Sequence, residues 1–324
     1  MIITRTPFRL SFAGGGTDLA DFYRLKTGAV VSTAIDKYMY IVVNRRFDDS
    51  IRVSYSRTEI VNSVDELRHP IARECLKLVG ITRGIEIVSI ADIPAGAGLG
   101  SSGSFTVGLL NALYAYRGVL KSAEDLAQEA CRIEIEIIGE PVGKQDQYIA
   151  AYGGFRHIQF NADETVFTEP IIWSKKNREE LNRNLLLLYT GDKRPASHIL
   201  KEQKENTRQA DSMASLEKMR DMALDLRERL NNKAAPDILG ETMHRGWVLK
   251  KQLASRISNA RLDGYYEKAL GAGALGGKVS GAGGGGFLLL YCPGDRRAAA
   301  KEALGLKEQV FSFEPEGSRI IYVI

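Results

Sequence analysis

Three short glycine-rich segments hold the residues of this chain that are best suited to bind a ligand. They run from Gly14 to Gly16, from Gly96 to Gly103 and from Gly271 to Gly286, and together contain 16 of the 32 glycines. Glycine inside regular structure costs about 0.5–1 kcal/mol, so this clustering needs a reason such as left-handed backbone or close approach to a ligand. A flexible linker fits poorly, because linkers of that kind are polar and serine-rich, whereas these segments lie between apolar runs.

The middle segment follows a predicted strand, Ile85 to Ala91, and opens a predicted helix that ends near Arg117. A helix N-terminus presents unpaired backbone N–H groups and about half a positive charge, which together attract anions. Glycines allow the backbone to wrap phosphate oxygens without interference from side chains. The segment therefore predicts a phosphate-binding loop. Its candidate residues are Pro94, Gly96, Gly98, Gly100, Ser101, Ser102, Gly103 and Ser104.

Two other interpretations of this loop stay open at this point. Gly98, Gly100 and Gly103 spell the GxGxxG pattern of dinucleotide-binding proteins, although that fold places an acidic residue at the end of the next strand, about 20 residues on. The acidic residues at that distance, Glu124 and Asp125, belong instead to a helix-capping sequence. A tight turn without a ligand is the second alternative. A Walker A loop is excluded, because neither Gly-Lys pair of the chain is followed by serine or threonine.

Glu134 is a carboxylate on the apolar face of a predicted helix that begins at Ser122 and ends near Ile138. Its neighbours at helical spacing are apolar: Ala127, Ala130, Cys131, Ile137 and Ile138. Burial of an unpaired carboxylate costs on the order of several kcal/mol, so Glu134 needs a positive partner. That partner is either an arginine in a buried salt bridge or a divalent cation. Mg²⁺, which takes one or two carboxylates plus phosphate oxygens, suits a chain with a phosphate loop.

A second acidic residue, Asp146, follows the segment from Gly139 to Gly143, which is predicted to interrupt the helical structure. In isolation an aspartate at such a position is most simply a cap or turn residue. Beside a candidate metal and a candidate phosphate loop it becomes a candidate general base.

The three glycine segments also resemble, in order and spacing, the three motifs of the GHMP small-molecule kinases. The first motif runs from Pro7 to Asp18 and contains Arg9 and the run Gly-Gly-Gly-Thr-Asp. The second runs from Pro94 to Gly103, and the third, from Lys278 to Gly286, reads Lys-Val-Ser-Gly-Ala-Gly-Gly-Gly-Gly. The run from Gly143 to Gln147 adds to the resemblance, which spans nearly the whole chain. One departure is that this last run is one residue longer than in the mevalonate branch of the family.

The resemblance implies an α+β fold with two domains and an active site between them. The first domain, residues 1–175, is expected to be an α/β domain that carries the phosphate loop and the catalytic aspartate. The second, residues 176–324, is expected to be ferredoxin-like and to carry the third motif. Alternating helix and strand patterns in both halves agree with this division.

The resemblance further implies an ATP-dependent kinase that uses Mg²⁺. The Gly-Gly-Gly-Thr-Asp run is similar to that of the sugar-kinase branch. Within that branch the chain resembles kinases that phosphorylate the anomeric hydroxyl of a heptose 7-phosphate. Kinases of L-fucose and of uronic acids are near relatives. The stretch from Tyr189 to Ala196 resembles a segment shared by the heptose and fucose kinases, so it does not separate them.

Specific roles are carried over from the family by motif. Asp146 would be the catalytic base and Arg9 its basic neighbour, the loop would wrap the ATP phosphates, and Ser102 and Glu134 would hold Mg²⁺. The candidate substrate-binding residues are Gly15, Gly16, Thr17, Asp18, Lys193, Arg194, Gly281 and Gly283. Within that set Asp18 would bind sugar hydroxyls. Lys193 and Arg194 would bind the substrate's own phosphate, with a solvated loop as the alternative.

The composition excludes several other classes of protein. The chain has 324 residues, of which 44% are hydrophobic and 26% are charged, as in ordinary globular proteins. Its net charge of +4 is scattered along the sequence, so no nucleic-acid partner is expected. Three widely spaced cysteines, together with the lack of a long apolar run or a signal sequence, predict a cytoplasmic protein with no membrane partner. The expected partner is a small sugar phosphate, with a homo-oligomer also possible. A sugar- or nucleotide-binding regulator without catalysis is the alternative class.

Overall fold

The fold is built from two β-sheets with helices packed against them, in a computed structural model that describes residues 1–191 and 196–324. The strands are β1 (Ile2–Ala13), β2 (Gly28–Arg45), β3 (Ile51–Ser54), β4 (Thr58–Val61), β5 (Ile85–Ala91), β6 (Phe155–Phe160), β7 (Val166–Pro170), β8 (Leu185–Tyr189), β9 (Gly276–Val279), β10 (Phe287–Tyr291), β11 (Lys307–Glu308) and β12 (Arg319–Val323). The helices are α1 (Ala20–Tyr23), α2 (Pro70–Val79), α3 (Ser101–Tyr116), α4 (Ala123–Cys131), α5 (Gln145–Tyr152), α6 (Lys175–Asn184), α7 (Ala196–Asn206), α8 (Ala210–Asn231), α9 (Asp237–Lys250), α10 (Ala260–Gly271) and α11 (Arg296–Leu304).

The first sheet is organised around the long strand β2. Its strand order is β12-β1-β2-β5-β3-β4, and β6 pairs with the other half of β2 and with β7. The pairing is antiparallel except between β3 and β5. The patterns of residues 30–35 and 38–46 predict two separate strands, but β2 runs through both as one strand from Gly28 to Arg45. Across the register shift between Pro7 and Phe8 on β1, the pairing partner changes from Tyr38 to Ile35.

The second sheet has the order β11-β8-β10-β9 and is antiparallel. Its two central strands, β8 and β10, are almost continuously apolar and buried, as expected for strands covered on both faces. This mixed α+β architecture with two sheets agrees with the predicted fold class. The predicted division at residue 175 assigns β12 to the second domain. In the structure this last strand pairs with β1 and completes the first sheet.

Helix α3, which follows the second glycine segment, packs against β1, β2 and α5. It is buried from Gly103 to Leu113, as its apolar and small residues predicted. The pattern of residues 65–79 predicts one continuous helix, and this prediction is wrong. They form a short 3₁₀ turn, Val64–Glu66, and then α2, which begins at Pro70 because proline is tolerated at the first position of a helix but not in its interior.

Candidate active site

The loop before α3 contains three glycines in the left-handed region. Gly96, Gly98 and Gly100 have φ angles of 78°, 82° and 80°, a conformation that other residues disfavour. Gly100 is the N-cap of α3 and has no side chain with which to cap the first N–H groups of this helix, and no side chain in residues 1–191 and 196–324 accepts a hydrogen bond from them. Those groups are therefore available to an anion, which is the arrangement that a phosphate-binding loop requires.

Most of the predicted loop residues face one cavity between the two sheets. Those that line it are Gly96, Gly98, Gly100, Ser101 and Ser102. The other three, Pro94, Gly103 and Ser104, are not among the residues that line this cavity. Pro94 is exposed to solvent, and Ser104 is buried and donates a hydrogen bond to the Pro7 carbonyl at 2.7 Å. Gly103 lies against Asp146, since a Cβ added to it would be 3.0 Å from the Asp146 Cβ.

Arg9 and Asp146 form a bidentate ion pair at the wall of this cavity. The Arg9 Nε and Nη2 atoms donate to the two Asp146 carboxylate oxygens at 2.7 and 2.8 Å, and Nη1 donates to the Gly98 carbonyl at 2.7 Å. Arg9 is only 4% exposed, so its charge is held in a fixed position. One arginine thus connects the first motif, the phosphate-type loop and the candidate base, whose side chain opens into the cavity.

Glu134 is fully buried and close to the same loop. Helix α4 continues into a π-helical stretch, Arg132–Ile137, which carries Glu134; such irregular turns occur frequently at functional sites. The Ser102 hydroxyl donates to one Glu134 oxygen, and Gln147 Nε2 donates to the other at 3.0 Å. Burial raises the pKa of Glu134, and the hydrogen bonds from these side chains oppose that rise.

The partners of Glu134 distinguish the two interpretations of its burial. Among residues 1–191 and 196–324, the Glu134 carboxylate accepts hydrogen bonds from neutral side chains and forms no ion pair with an arginine. Ser102 and Glu134 together offer two hard oxygen ligands next to the phosphate-type loop, a donor set that suits Mg²⁺. Within the same ranges no cluster of three or more acidic, histidine or cysteine side chains could hold a metal. A Mg²⁺ ion here would therefore take phosphate oxygens and water molecules as its remaining ligands.

The first motif places Asp18 beside Asp146 and buries Thr17. The Asp18 carboxylate accepts hydrogen bonds from the Gly16 N–H at 2.8 Å and the Gln145 N–H at 3.3 Å, which joins this loop to α5. Burial raises the pKa of Asp18, and those backbone N–H groups oppose the rise. Gly15, Gly16 and Asp18 line the cavity. Thr17 is fully buried, and its hydroxyl bonds to backbone atoms of Gly14 and Ala29, so it supports the loop from beneath.

The third motif packs directly on the second. A Cβ added to Gly281 would lie 2.7 Å from the Gly98 Cα, and one added to Gly98 would lie 2.4 Å from the Ser280 carbonyl oxygen. Gly281 and Gly283 both line the cavity, with φ angles of 70° and 99°. The two glycine loops therefore approach each other more closely than side chains would permit.

Two buried lysines in the cavity were not predicted. Lys250, at the end of α9, donates a hydrogen bond to the Gly281 carbonyl, and burial lowers its pKa to about 8. Burial, together with the nearby charges of Lys250 and Arg9, lowers the pKa of Lys278 well below its usual value. A signal for Lys250 existed in the sequence, because it follows Met243 and Trp247 at helical spacing on the buried face of α9.

The remaining predicted residues, Lys193 and Arg194, lie outside the described residues. The structure thus brings together Arg9, the loop before α3, the Ser102–Glu134 pair, Asp146, three residues of the first motif and two of the third.

The chain belongs to the GHMP kinase family. The model of the GHMP kinases N terminal domain matches residues 66–154, and the model of the GHMP kinases C terminal domain matches residues 230–308. The first match includes the loop before α3, Glu134 and Asp146, and the second includes the third glycine motif. The family assignment therefore rests on the same segments that form the cavity.

Individual relatives match almost the whole chain at modest identity. D-glycero-alpha-D-manno-heptose 7-phosphate kinase of Campylobacter jejuni is 28% identical over 331 residues, which cover 98% of this chain and 97% of the relative. L-fucokinase/L-fucose-1-P guanylyltransferase of Bacteroides fragilis is 26% identical over 92% of this chain, but the match spans only 35% of that longer protein. The crystal structure of a D-glycero-D-manno-heptose 1-phosphate kinase from Bacteriodes thetaiotaomicron shares the fold, with a TM-score of 0.82, 22% identity and full coverage of both chains.

In the ranges 1–191 and 196–324, no helix combines the length and the apolar character needed to cross a membrane.

Proposed function

We propose that this protein transfers the γ-phosphoryl group of ATP to a hydroxyl group of a sugar. The observation that carries the proposal is the junction of Arg9, Asp146 and the loop before α3. It joins a base, a cation and an anion-binding helix N-terminus at one cavity. Those are the components that phosphoryl transfer needs, since its acceleration comes mainly from positioning and from neutralisation of charge.

In this proposal Asp146 acts as the general base. Its carboxylate accepts the proton of the acceptor hydroxyl as the oxygen bonds to the γ-phosphorus and the bond from that phosphorus to the ADP oxygen breaks. Arg9 orients the two oxygens of Asp146 through the bidentate pair. Lys250 and Lys278 line the same cavity and would add positive charge once phosphate groups bind, because a nearby anion favours the charged form of a buried lysine.

The cofactors in the proposal are ATP and Mg²⁺. The N–H groups at the start of α3 would bind ATP phosphate oxygens, and Ser102 and Glu134 would hold the metal ion. When bound, Mg²⁺ neutralises the charge that develops on the phosphate oxygens. The oxygen-only chemistry of the Ser102–Glu134 pair and its position beside the loop support this assignment.

The best candidate for the acceptor is the anomeric hydroxyl of D-glycero-D-manno-heptose 7-phosphate, which would give the 1,7-bisphosphate. The end-to-end match to the Campylobacter relative supports this choice. L-fucose is the alternative, supported by the Bacteroides fragilis relative, and a uronic acid is a second one. A cytoplasmic location and a homo-oligomer stay predictions.

Two other classes of function are less consistent with the site. A regulator that only binds a sugar or a nucleotide has no use for a base held by a buried arginine. A dinucleotide-binding protein would need an acidic residue after the next strand, yet Glu124 and Asp125 lie in the first turn of α4, where Ser122 and Asp125 form a capping box.

The proposal can be tested by ligand binding followed by turnover. ATP with Mg²⁺ should raise the melting temperature, whereas NAD and NADP should not. ADP release should then be measured with the heptose 7-phosphate, the free heptose, L-fucose and D-galacturonate as acceptors. Stabilisation by ATP without ADP release on any of these sugars would favour the regulator, and stabilisation by NAD would favour the dinucleotide class.

Glu134→Gln is expected to raise the Mg²⁺ concentration needed for half-maximal turnover by at least about tenfold. Mutation of residues that only orient a metal ligand already lowers metal affinity by about 10–100-fold. In Glu134→Gln a charged ligand is lost, while the side chain keeps its size. The measurement is a Mg²⁺ titration at saturating ATP. Glu136→Gln, an exposed position two residues further along the same turn, is the matched control. An unchanged titration for Glu134→Gln would mean that this carboxylate is purely structural.

A further inference from the structure

Four polar side chains surround the two cavity-lining glycines of the first motif. A methyl group added to Gly15 would lie 3.5 Å from Ser11 Oγ, 3.8 Å from Gln145 Nε2 and 3.8 Å from Lys278 Nζ. One added to Gly16 would lie 2.6 Å from Gln203 Nε2. We call this set the motif-one cluster; its members are Ser11, Gln145, Gln203 and Lys278. All four line the cavity.

Much of the hydrogen-bonding capacity of the motif-one cluster is unused. Ser11 Oγ, Gln145 Oε1 and Gln203 Nε2 are buried atoms without a hydrogen-bond partner in the described chain, and their residues are 7%, 8% and 2% exposed. Lys278 is 5% exposed, and its Nζ makes no hydrogen bond to any of the described residues. More than about nine in ten buried polar atoms in proteins are paired, so several unpaired atoms around one cavity indicate a missing partner.

We propose that the motif-one cluster is the subsite that holds the acceptor, and that it binds a polyhydroxylated molecule through several of its hydroxyl groups. The inference rests on the proposed function and adds the side chains of these four residues. Of this set, the site described above uses only the Lys278 charge and the backbone N–H of Gln145. The subsite lies beside Asp146, which directly follows Gln145 at the start of α5. A hydroxyl held there would be presented to the proposed base.

The chemistry of the motif-one cluster matches a sugar. A serine hydroxyl both donates and accepts, each glutamine amide offers an oxygen acceptor and two N–H donors, and the lysine amino group offers further N–H donors. Neighbouring hydroxyls of a sugar require such a mixture of donors and acceptors. Ser11 and Gln145 belong to β1 and α5, whereas Gln203 and Lys278 belong to α7 and β9, so the acceptor would bridge the two sheets.

Gly15→Ala tests the subsite with little risk to folding. Gly15 does not have a left-handed backbone, and the added methyl would make only ordinary contacts, at 3.5 Å or more. It would, however, enter the space beside the polar atoms of Ser11, Gln145 and Lys278. We expect KM for the acceptor to rise at least about tenfold, since loss of one or two hydrogen bonds to buried groups has that effect, while KM for ATP stays within about twofold.

Gln203→Leu tests the cluster from the opposite side, with Gln252→Leu, the same change at an exposed position, as its control. The acceptors are the heptose 7-phosphate, L-fucose and D-galacturonate, and binding without ATP is measured by calorimetry alongside KM. Gln203→Leu should weaken acceptor binding at least about tenfold. Weaker acceptor binding in Gly15→Ala and Gln203→Leu, with ATP binding retained, supports the subsite. Wild-type acceptor KM in both variants overturns it, whereas failure of the unmodified enzyme to phosphorylate any acceptor overturns the proposed function itself.

Discussion

Asp146→Asn is expected to lower kcat by about 10²–10⁴-fold while ATP affinity stays nearly unchanged. An asparagine keeps the size and the position of the side chain but cannot accept the proton of the acceptor hydroxyl, and general bases contribute on this scale. The phosphate contacts assigned to the N-terminus of α3 do not involve Asp146. Single-turnover kinetics with saturating ATP and acceptor measure the chemical step directly.

The same substitution leaves the Arg9 charge without its partner, so folding must be measured alongside catalysis. Arg9 is 4% exposed, and removal of one member of a buried ion pair costs up to about 3–5 kcal/mol. Asp211→Asn is the matched control, because Asp211 is also an aspartate in the first turn of a helix, but an exposed one. A folded Asp146→Asn protein with turnover close to that of wild type would exclude Asp146 as the base.

The burial and backbone conformation of a residue were predicted best where they depend on its neighbours along the sequence. Glu134 was found because its neighbours at helical spacing are apolar, and the structure buries it completely. The same reasoning applied to α9 would have found Lys250, which shares a face with Met243 and Trp247. The glycine loops were likewise visible, since left-handed backbone at Gly96, Gly98 and Gly100 restricts the choice of residue.

Features that depend on distant parts of the chain could not be predicted in the same way. Nothing in the pattern of residues 319–323 distinguishes a strand that returns to β1 from one that joins the second sheet. Ser11, Gln145 and Gln203 are ordinary polar residues in the sequence, and only the folded chain places them around Gly15 and Gly16. Their unpaired atoms become informative only once the packing around them is known.

Gly98→Ala is expected to destabilise the protein more than Gly96→Ala, a matched change in the same loop. Both glycines have left-handed backbone, with φ of 82° and 78°, so both substitutions carry a conformational cost of about 1–2 kcal/mol. A methyl at Gly96 meets no atom of the described residues within 4 Å, but at Gly98 it would lie 2.4 Å from the Ser280 carbonyl oxygen. Relief of that overlap requires a backbone shift, which adds about 1–3 kcal/mol.

The difference between these two variants measures how strongly the second and third glycine motifs constrain each other. Gly98 also accepts the Arg9 hydrogen bond through its carbonyl, so displacement of this loop would disturb the Arg9–Asp146 pair as well as the N–H groups at the start of α3. Turnover in Gly98→Ala should therefore fall further than in Gly96→Ala, even at temperatures where both proteins are folded. Denaturant unfolding and steady-state kinetics on the two variants provide the comparison. Equal losses of stability and of turnover would show that the close approach of Gly98 to Ser280 does not hold the site in place.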